Sequence, residues 1–354
     1  MEISGDNAVG SSLVTWRGRY RWTVLVLLLA GSVLAGSALS AFVAEARVQD
    51  GPVAPRRTVS VIDTATNEAA ARAIRVGPYP TSIAISPDGG RAYVVTSGNG
   101  SVAVINLGAN RLVGSPIKIG PYPEGIAITP DGGRVYAVNY GNNSVSAIDT
   151  ETNEVVAKIR VGRGPTGIAI TPDGTRAYVT NSRDGTVSVI DTATNETAVR
   201  AIKVGRVPLA LAVAPNGTRV YVADIRDDTV SVIQTATTRL APRKIKTGDG
   251  PTAIAITPDG SRLYVANARE DTVSVIDTAT DKLAAKPIEV GHRPTAIAVS
   301  PVSRRVYVTG LAPGSLSVIN TNVNRPVTKP IEVGPFPIAI ALSPDGRRVY
   351  IVHN

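Results

Sequence analysis

Tyrosines at positions 93, 136, 178, 221, 264, 307 and 350 lie 43, 42, 43, 43, 43 and 43 residues apart. Three further registers keep the same step. A valine or leucine recurs at Val59, Val102, Val145, Val187, Val230, Val273 and Leu316. A glycine recurs at Gly77, Gly120, Gly162, Gly205, Gly248, Gly291 and Gly334, and a proline at Pro80, Pro123, Pro165, Pro208, Pro251, Pro294 and Pro337. One unit, 165–205, reads PTGIAITPDGTRAYVTNSRDGTVSVIDTATNETAVRAIKVG. Its four short apolar runs (GIAI, RAYVT, TVSVID and AVRAIKV) are separated by PDG, NSRDG and DTATN. Runs rich in Val, Ile, Tyr and Thr, divided by Gly, Pro, Asn and Asp, predict four antiparallel strands joined by tight turns. Such a unit buries its faces only against its neighbours, and a period of this length with four strands per copy is the propeller signature.

The repeat starts and stops in mid-unit. TVSVID at 58–63 and AAARAIRV at 69–76 supply a third and a fourth strand, and 338–352 supplies a first and a second. Joined, the two halves make one blade, so the sequence predicts an all-β, seven-bladed propeller over 56–354, closed by a blade shared between both ends. Closure removes the free sheet edges of a linear stack. First strands alternate Ile or Val with Ala or Gly, which suits the crowded axis. Third strands are apolar on both faces, as expected between neighbouring blades. Fourth strands carry Arg75, Lys118, Arg160, Lys203, Lys246, Glu289 and Glu332, with Pro116, Pro287 and Pro330 among them. Charge and proline suit an outer edge. Much of the formal charge of +9 is then a solvated rim.

Ahead of the repeat, residues 1–21 end in a basic cluster (Arg17, Arg19, Arg21), and 22–44 hold no charge. That stretch is long enough to span a bilayer as a helix, with its basic flank on the cytoplasmic side. Two readings stand: a single-pass anchor, or a signal segment cut after Ala38 or Ala46, where small residues occupy the −3 and −1 positions. Either places the propeller outside the cytoplasm, with 45–55 as a linker. The chain has no cysteine, which excludes disulfides, thiolate metal sites and cysteine nucleophiles.

The run Tyr178-Val179-Thr180-Asn181, set among PDG and TVSVIDTATN, resembles the YVTN family of bacterial β-propeller repeats. Tyr264-Val265-Ala266-Asn267 and Tyr93-Val94-Val95-Thr96 are near matches. The resemblance covers 56–354 and implies an exported or surface-displayed seven-bladed propeller. Similar propellers serve as subunits of redox enzymes or act as lyases and lactonases, which need a metal or an acid–base cluster on the axis. One unit departs from the pattern, with Pro301-Val302-Ser303 in place of PDG.

Residues that recur in every copy carry shape, so function is sought where the copies differ. The loops leading into the first strands read GPYP, GPYP, GRGP, GRVP, GDGP, GHRP and GPFP. They place Phe336, Tyr79 and Tyr122 on one arc of the channel mouth, and Arg163, Arg206, Asp249, His292 and Arg293 on the other. Loops between second and third strands add Asn142 and Asn143 to the aromatic arc. To the charged arc they add Arg183, Asp184, Arg226, Asp227, Asp228, Arg269, Glu270 and Asp271. Two readings follow. One is a binding face, with an aromatic anchor and arginines gripping a protein or a small polar or anionic ligand. The other is a set of solvated loops whose charges neutralise one another locally.

No catalytic residue, metal ligand or cofactor is expected. His292 and His353 are the only histidines, too few for a three-histidine metal site. DTATN reads as turn chemistry rather than a ligand array, and PDGG lies between strands rather than before a helix. The favoured function is a non-catalytic binding or interaction propeller at the cell envelope. The alternative is a lyase- or lactonase-type enzyme or a partner subunit of a redox enzyme. A nucleic-acid partner rests on charge alone and is opposed by export.

Overall fold

Turn chemistry cuts the chain into its strands. In the DTATN turn of the unit at 165–205, Asp191 Oδ1 accepts the N–H groups of Ala193 and Thr194, both at 3.0 Å, and Asn195 is left-handed at φ 58°. Asp63, Asp149 and Asp277 do the same in other copies. In the PDG turns the glycine supplies the left-handed residue, with φ near 70° at Gly89, Gly132, Gly174 and Gly260. These positions favour Gly, Asn and Asp because larger side chains clash there.

The computed structural model describes residues 57–354, which form seven four-stranded antiparallel blades. We number the blades in chain order: 1 (80–118), 2 (123–160), 3 (165–203), 4 (208–246), 5 (251–289), 6 (294–332), and 7 from both ends (337–353 and 58–75). In blade 7 the strand Thr58–Asp63 pairs over six rungs with Arg348–His353, from Thr58 opposite His353 to Asp63 opposite Arg348. The propeller and its shared blade are therefore as the repeat arithmetic implies. The expected spanning or signal segment at 22–44, and the linker after it, lie outside the described residues; among those described, no helix is long and apolar enough to cross a membrane.

The core lies between blades. Tyr178, fully buried, packs with Val187 and Val189 of its own blade and with Leu211, Val220 and Val222 of the next. Equivalent clusters fill the other seams. Each buried Val, Leu or Ile contributes roughly 1.5–3 kcal/mol, so the apolar third strands pay off only once a neighbour covers them.

The fourth strands differ from expectation. Continuous edge strands exist in blades 1, 2 and 7 (Arg111–Lys118, Glu154–Arg160 and Ala69–Arg75). In blades 3 to 6 the strand breaks into two two-residue pieces, such as Glu196–Thr197 and Ile202–Lys203. The cause is a surplus of length. In blade 3, residues 196–203 face 186–191, so two extra residues must bulge outward. Blade 1 carries the same surplus but absorbs it within the strand, where Gly114 is left-handed at φ 62°. Blade 2 has one extra residue only, 154–160 against 144–149. This missing residue is what shortens the step from Tyr136 to Tyr178.

Candidate functional site at the channel mouth

The loop leading into each first strand is clasped by the residues that follow the second strand of the same blade, which in blades 1 to 6 are the loop to the third strand. Ser97 N donates to Tyr79 O (2.8 Å) and Gly98 N to Pro78 O (3.1 Å). The bonds repeat at Tyr140–Tyr122, Ser182–Gly164, Ile225–Val207, Ala268–Gly250, Leu311–Arg293 and Asn354–Phe336. To present its carbonyls to that loop, the residue before each proline is left-handed: Tyr79, Tyr122, Gly164, Val207, Gly250, Arg293 and Phe336, with φ from 50° to 67°. Only the two glycines adopt this without strain; for the others it costs roughly 1–2 kcal/mol.

On the aromatic arc the side chains differ in exposure. Phe336 packs on the apolar core between blades 7 and 1. Tyr79 is half-buried, with the Arg57 guanidinium 5.6 Å from its ring centre. Tyr122 projects, with 66% of its surface exposed. Both tyrosine rings rest on glycines: a Cβ on Gly98 would lie 2.7 Å from Tyr79 Cδ2, and one on Gly141 2.8 Å from Tyr122 Cδ2. In blades 3, 4 and 5 the same loop position holds Arg183, Arg226 and Arg269.

On the other arc the charges pair within or between blades. Arg163 Nε meets Asp184 Oδ1 at 2.7 Å, and Arg206 Nε meets Asp227 Oδ1 at 2.5 Å. Arg269 Nη1 lies 3.0 Å from Asp249 Oδ1, and His292 Nδ1 2.6 Å from Asp271 Oδ2. Arg163 and Arg206 engage their carboxylates through Nε, Arg206 also donates from Nη2 to Arg226 O (2.8 Å), and 74% of each side chain stays exposed. Against the cost of partial burial, hydrogen bonds from Arg206 and Lys244 hold the Asp227 carboxyl down to about 2. Asn143, Asp228 and Asp271 take a structural part: their Oδ1 atoms accept N–H groups of the next blade, from Gly164 (2.9 Å), Gly250 (3.0 Å) and Arg293 (2.8 Å). The arrangement thus combines an exposed tyrosine, largely exposed arginine side chains and an internally balanced set of carboxylates.

Behind the mouth, first strands from all seven blades line an axial cavity of about 230 Å³. At the second position of these strands, threonine hydroxyls stitch blade to blade. Thr81 donates to Glu124 O (3.0 Å), Thr166 to Leu209 O (3.0 Å), Thr252 to Pro294 O (3.0 Å) and Thr295 to Pro337 O (2.7 Å). Blade 2 places Glu124 at this level, 6% exposed and the one ionisable residue among those lining the cavity. The mouth loops do not reveal it, but PEGIAI among PTSIAI, PTGIAI and PTAIAI does.

A second carboxylate hides in blade 4. The last residue of the second strand is Asn139, Asn181 or Asn267 in blades 2, 3 and 5, bonded to third-strand hydroxyls. In blade 4 it is Asp224, fully buried, accepting from Ser231 Oγ (2.6 Å) and Gly205 N (3.0 Å), with Lys244 Nζ 3.9 Å away. Burial pushes its carboxyl up to about 6, which the Ser231, Lys244 and Gly205 contacts only partly offset. Among the described residues no group of three or more His, Asp and Glu is placed to hold a metal ion.

The chain is similar to two families of known propellers. The model of the YNCE-like β-propeller family matches 20–215, and that of the seven-bladed β-propeller lactonases matches 150–285. There is no match among curated proteins. Solved structures share the fold. Hydrazine synthase of Kuenenia stuttgartiensis superposes with a TM-score of 0.69 at 23% identity, over 78% of this chain and 96% of that one. A functionally unknown protein from Desulfotomaculum acetoxidans gives 0.69 at 18% identity, over 79% and 96%.

Proposed function

The chain belongs to the YNCE-like β-propeller family, and on that basis we propose that it is a non-catalytic binding propeller of YVTN-repeat type, working outside the cytoplasm and either tethered or released through 22–44. Its partner is a protein, or a small polar or anionic ligand, seated on the channel mouth. Tyr122 carries this reading. It keeps a strained left-handed backbone, sits on a glycine shelf and leaves 66% of its surface in water. Glycine would relieve that strain, so the exposed ring is the costly feature that folding does not require. On the next two blades, Arg163 and Arg206 keep most of their side chains exposed and are already oriented, Arg163 by Asp184 and Arg206 by Asp227 and Arg226 O.

The test is recovery of partners from the envelope fraction with the native protein and with Tyr122→Ala, Arg163→Ala and Arg206→Ala. A partner held by the native protein and lost from the Tyr122 variant supports the reading; equal recovery by all variants refutes it.

The lactonase match over 150–285 favours one second reading, an axial hydrolase. Glu124 would then be the acid–base group, since it is the ionisable residue lining the axial cavity. Turnover of a lactone panel that is abolished by Glu124→Gln would move the conclusion to that reading.

A further inference from the structure

The face opposite the mouth carries a seal that fails at one seam. There the glycine of five of the six PDG or PNG turns rests on the proline of the preceding blade's turn, while the sixth, Gly346, sits against Val302 instead. A Cβ built on Gly89, Gly132, Gly174 or Gly260 would lie 3.4 Å from the Cδ of Pro344, Pro87, Pro130 or Pro215, and one on Gly217 3.7 Å from Pro172. A second-strand arginine crosses several of these seams to a carbonyl of the next blade's DTATN-type turn. Arg91 donates to Thr150 O (2.8 Å), Arg176 to Thr235 O (3.1 Å), Arg219 to Thr278 O (3.0 Å) and Arg305 to Thr64 O (2.8 Å).

Between blades 5 and 6 both devices are absent. Pro301-Val302-Ser303 replaces PDG, so no glycine meets Pro258, and this turn has no left-handed residue; its Val302 and Ser303 N–H groups bond to Ser300 Oγ instead. The seam's arginine, Arg262, turns back to Asp277 and to Ser261 O rather than crossing to Thr321 O. A cavity of about 400 Å³ opens there, lined by Asp259, Arg262, Arg304, Ser303, Thr321 and Asn322 among others.

The geometry points to this opened seam as a binding site for a neutral polyhydroxylated ligand, a mono- or disaccharide. The volume is within the range of small-molecule pockets. Its polar groups are of both signs: Asp259 accepts, Arg304 donates, Arg262 donates with the N–H groups left over from Asp277 and Ser261 O, and Asn322 can do both. An anion would face Asp259 and a cation would face both arginines, whereas vicinal hydroxyls pair with each in turn. Arg304 is exposed and already oriented by Asn322 Oδ1 (2.7 Å). Val299 and Val302 supply apolar surface for the C–H face of a sugar ring. The site is independent of the channel mouth, which lies at the other end of the strands.

The experiment is ligand-observed saturation-transfer NMR on the full chain in a non-glycosidic detergent. Glucose and N-acetylglucosamine serve as probes, with inorganic phosphate as competitor. Saturation transfer to sugar protons is expected from the native protein. In the double variant Val302→Asp/Ser303→Gly, which restores the turn found in neighbouring blades and closes the seam, transfer is expected to vanish while the unfolding midpoint holds or rises. Arg304→Ala, at an exposed position, tests the same site without touching the turn and should weaken binding roughly tenfold. The proposal is overturned if neither sugar shows transfer, if both variants bind like the native protein, or if phosphate displaces the sugar.

Discussion

The two arcs of the channel mouth share one backbone and solve the same packing problem in opposite ways. In blades 1 and 2 the clasped loops carry Gly98 and Gly141, which leave room for the rings of Tyr79 and Tyr122. In blades 3, 4 and 5 the same positions carry arginines, and the loops are tied by Arg163–Asp184, Arg206–Asp227 and Arg269–Asp249. A repeated scaffold therefore tolerates either an aromatic ring on a glycine or an ion pair. What changes between arcs is the chemistry offered to solvent, with the loops' hydrogen bonds held constant.

The largest expected effect sits on the ion-paired arc, at Asp224. Its carboxyl titrates near 6 when folded and near 4 when unfolded. The native state therefore loses stability as pH rises between those values and carries a constant penalty above them, about 3 kcal/mol. Asp224→Asn, which copies blades 2, 3 and 5, should raise stability by about that amount at pH 7 and by little at pH 3.5. Denaturant unfolding at the two pH values checks it; a gain equal at both would show that the charge is not the cause.

Converting one arc into the other comes next. Gly141→Arg should destabilise by about 1–3 kcal/mol, because its Cβ would stand 2.8 Å from Tyr122 Cδ2 and 2.9 Å from Pro121 O. Pairing it with Tyr122→Gly should recover part of the loss, since the ring is removed while the Pro121 carbonyl remains; the urea midpoints of the two variants decide the point.

Smaller still, Tyr122→Gly alone should stabilise by about 1 kcal/mol by relieving the left-handed backbone. A loss of stability would mean that the ring contributes packing. Smallest is the coupling of Arg163 with Asp184. A double-mutant cycle should give no more than about 1 kcal/mol, fading in 1 M salt, because the guanidinium is exposed.

Fold and site were not equally legible. Four registers repeated across seven copies carry the blades, and the half-units at the two ends carry the closure, because both depend on strand period and turn residues alone. The mouth residues were legible because the lead-in loops differ from copy to copy. Glu124 and Asp224 escaped because each is a single departure inside a strand, at a position whose usual Thr or Asn reads as structural. The broken fourth strands escaped for another reason: a bulge depends on how many residues face the neighbouring strand, and Gly114 decides whether the surplus stays in register. The turn at 301–303 was visible as an anomaly, but its consequence lies across the seam, in a proline deprived of its glycine.

The pairing of Thr58 with His353 puts the first rung of the closing blade at the rim of the mouth. A load applied at Thr58 meets that end rung first, so the opening of the closing blade would start beside the mouth, where Asn354 N is bonded to Phe336 O and Arg57 lies over the Tyr79 ring.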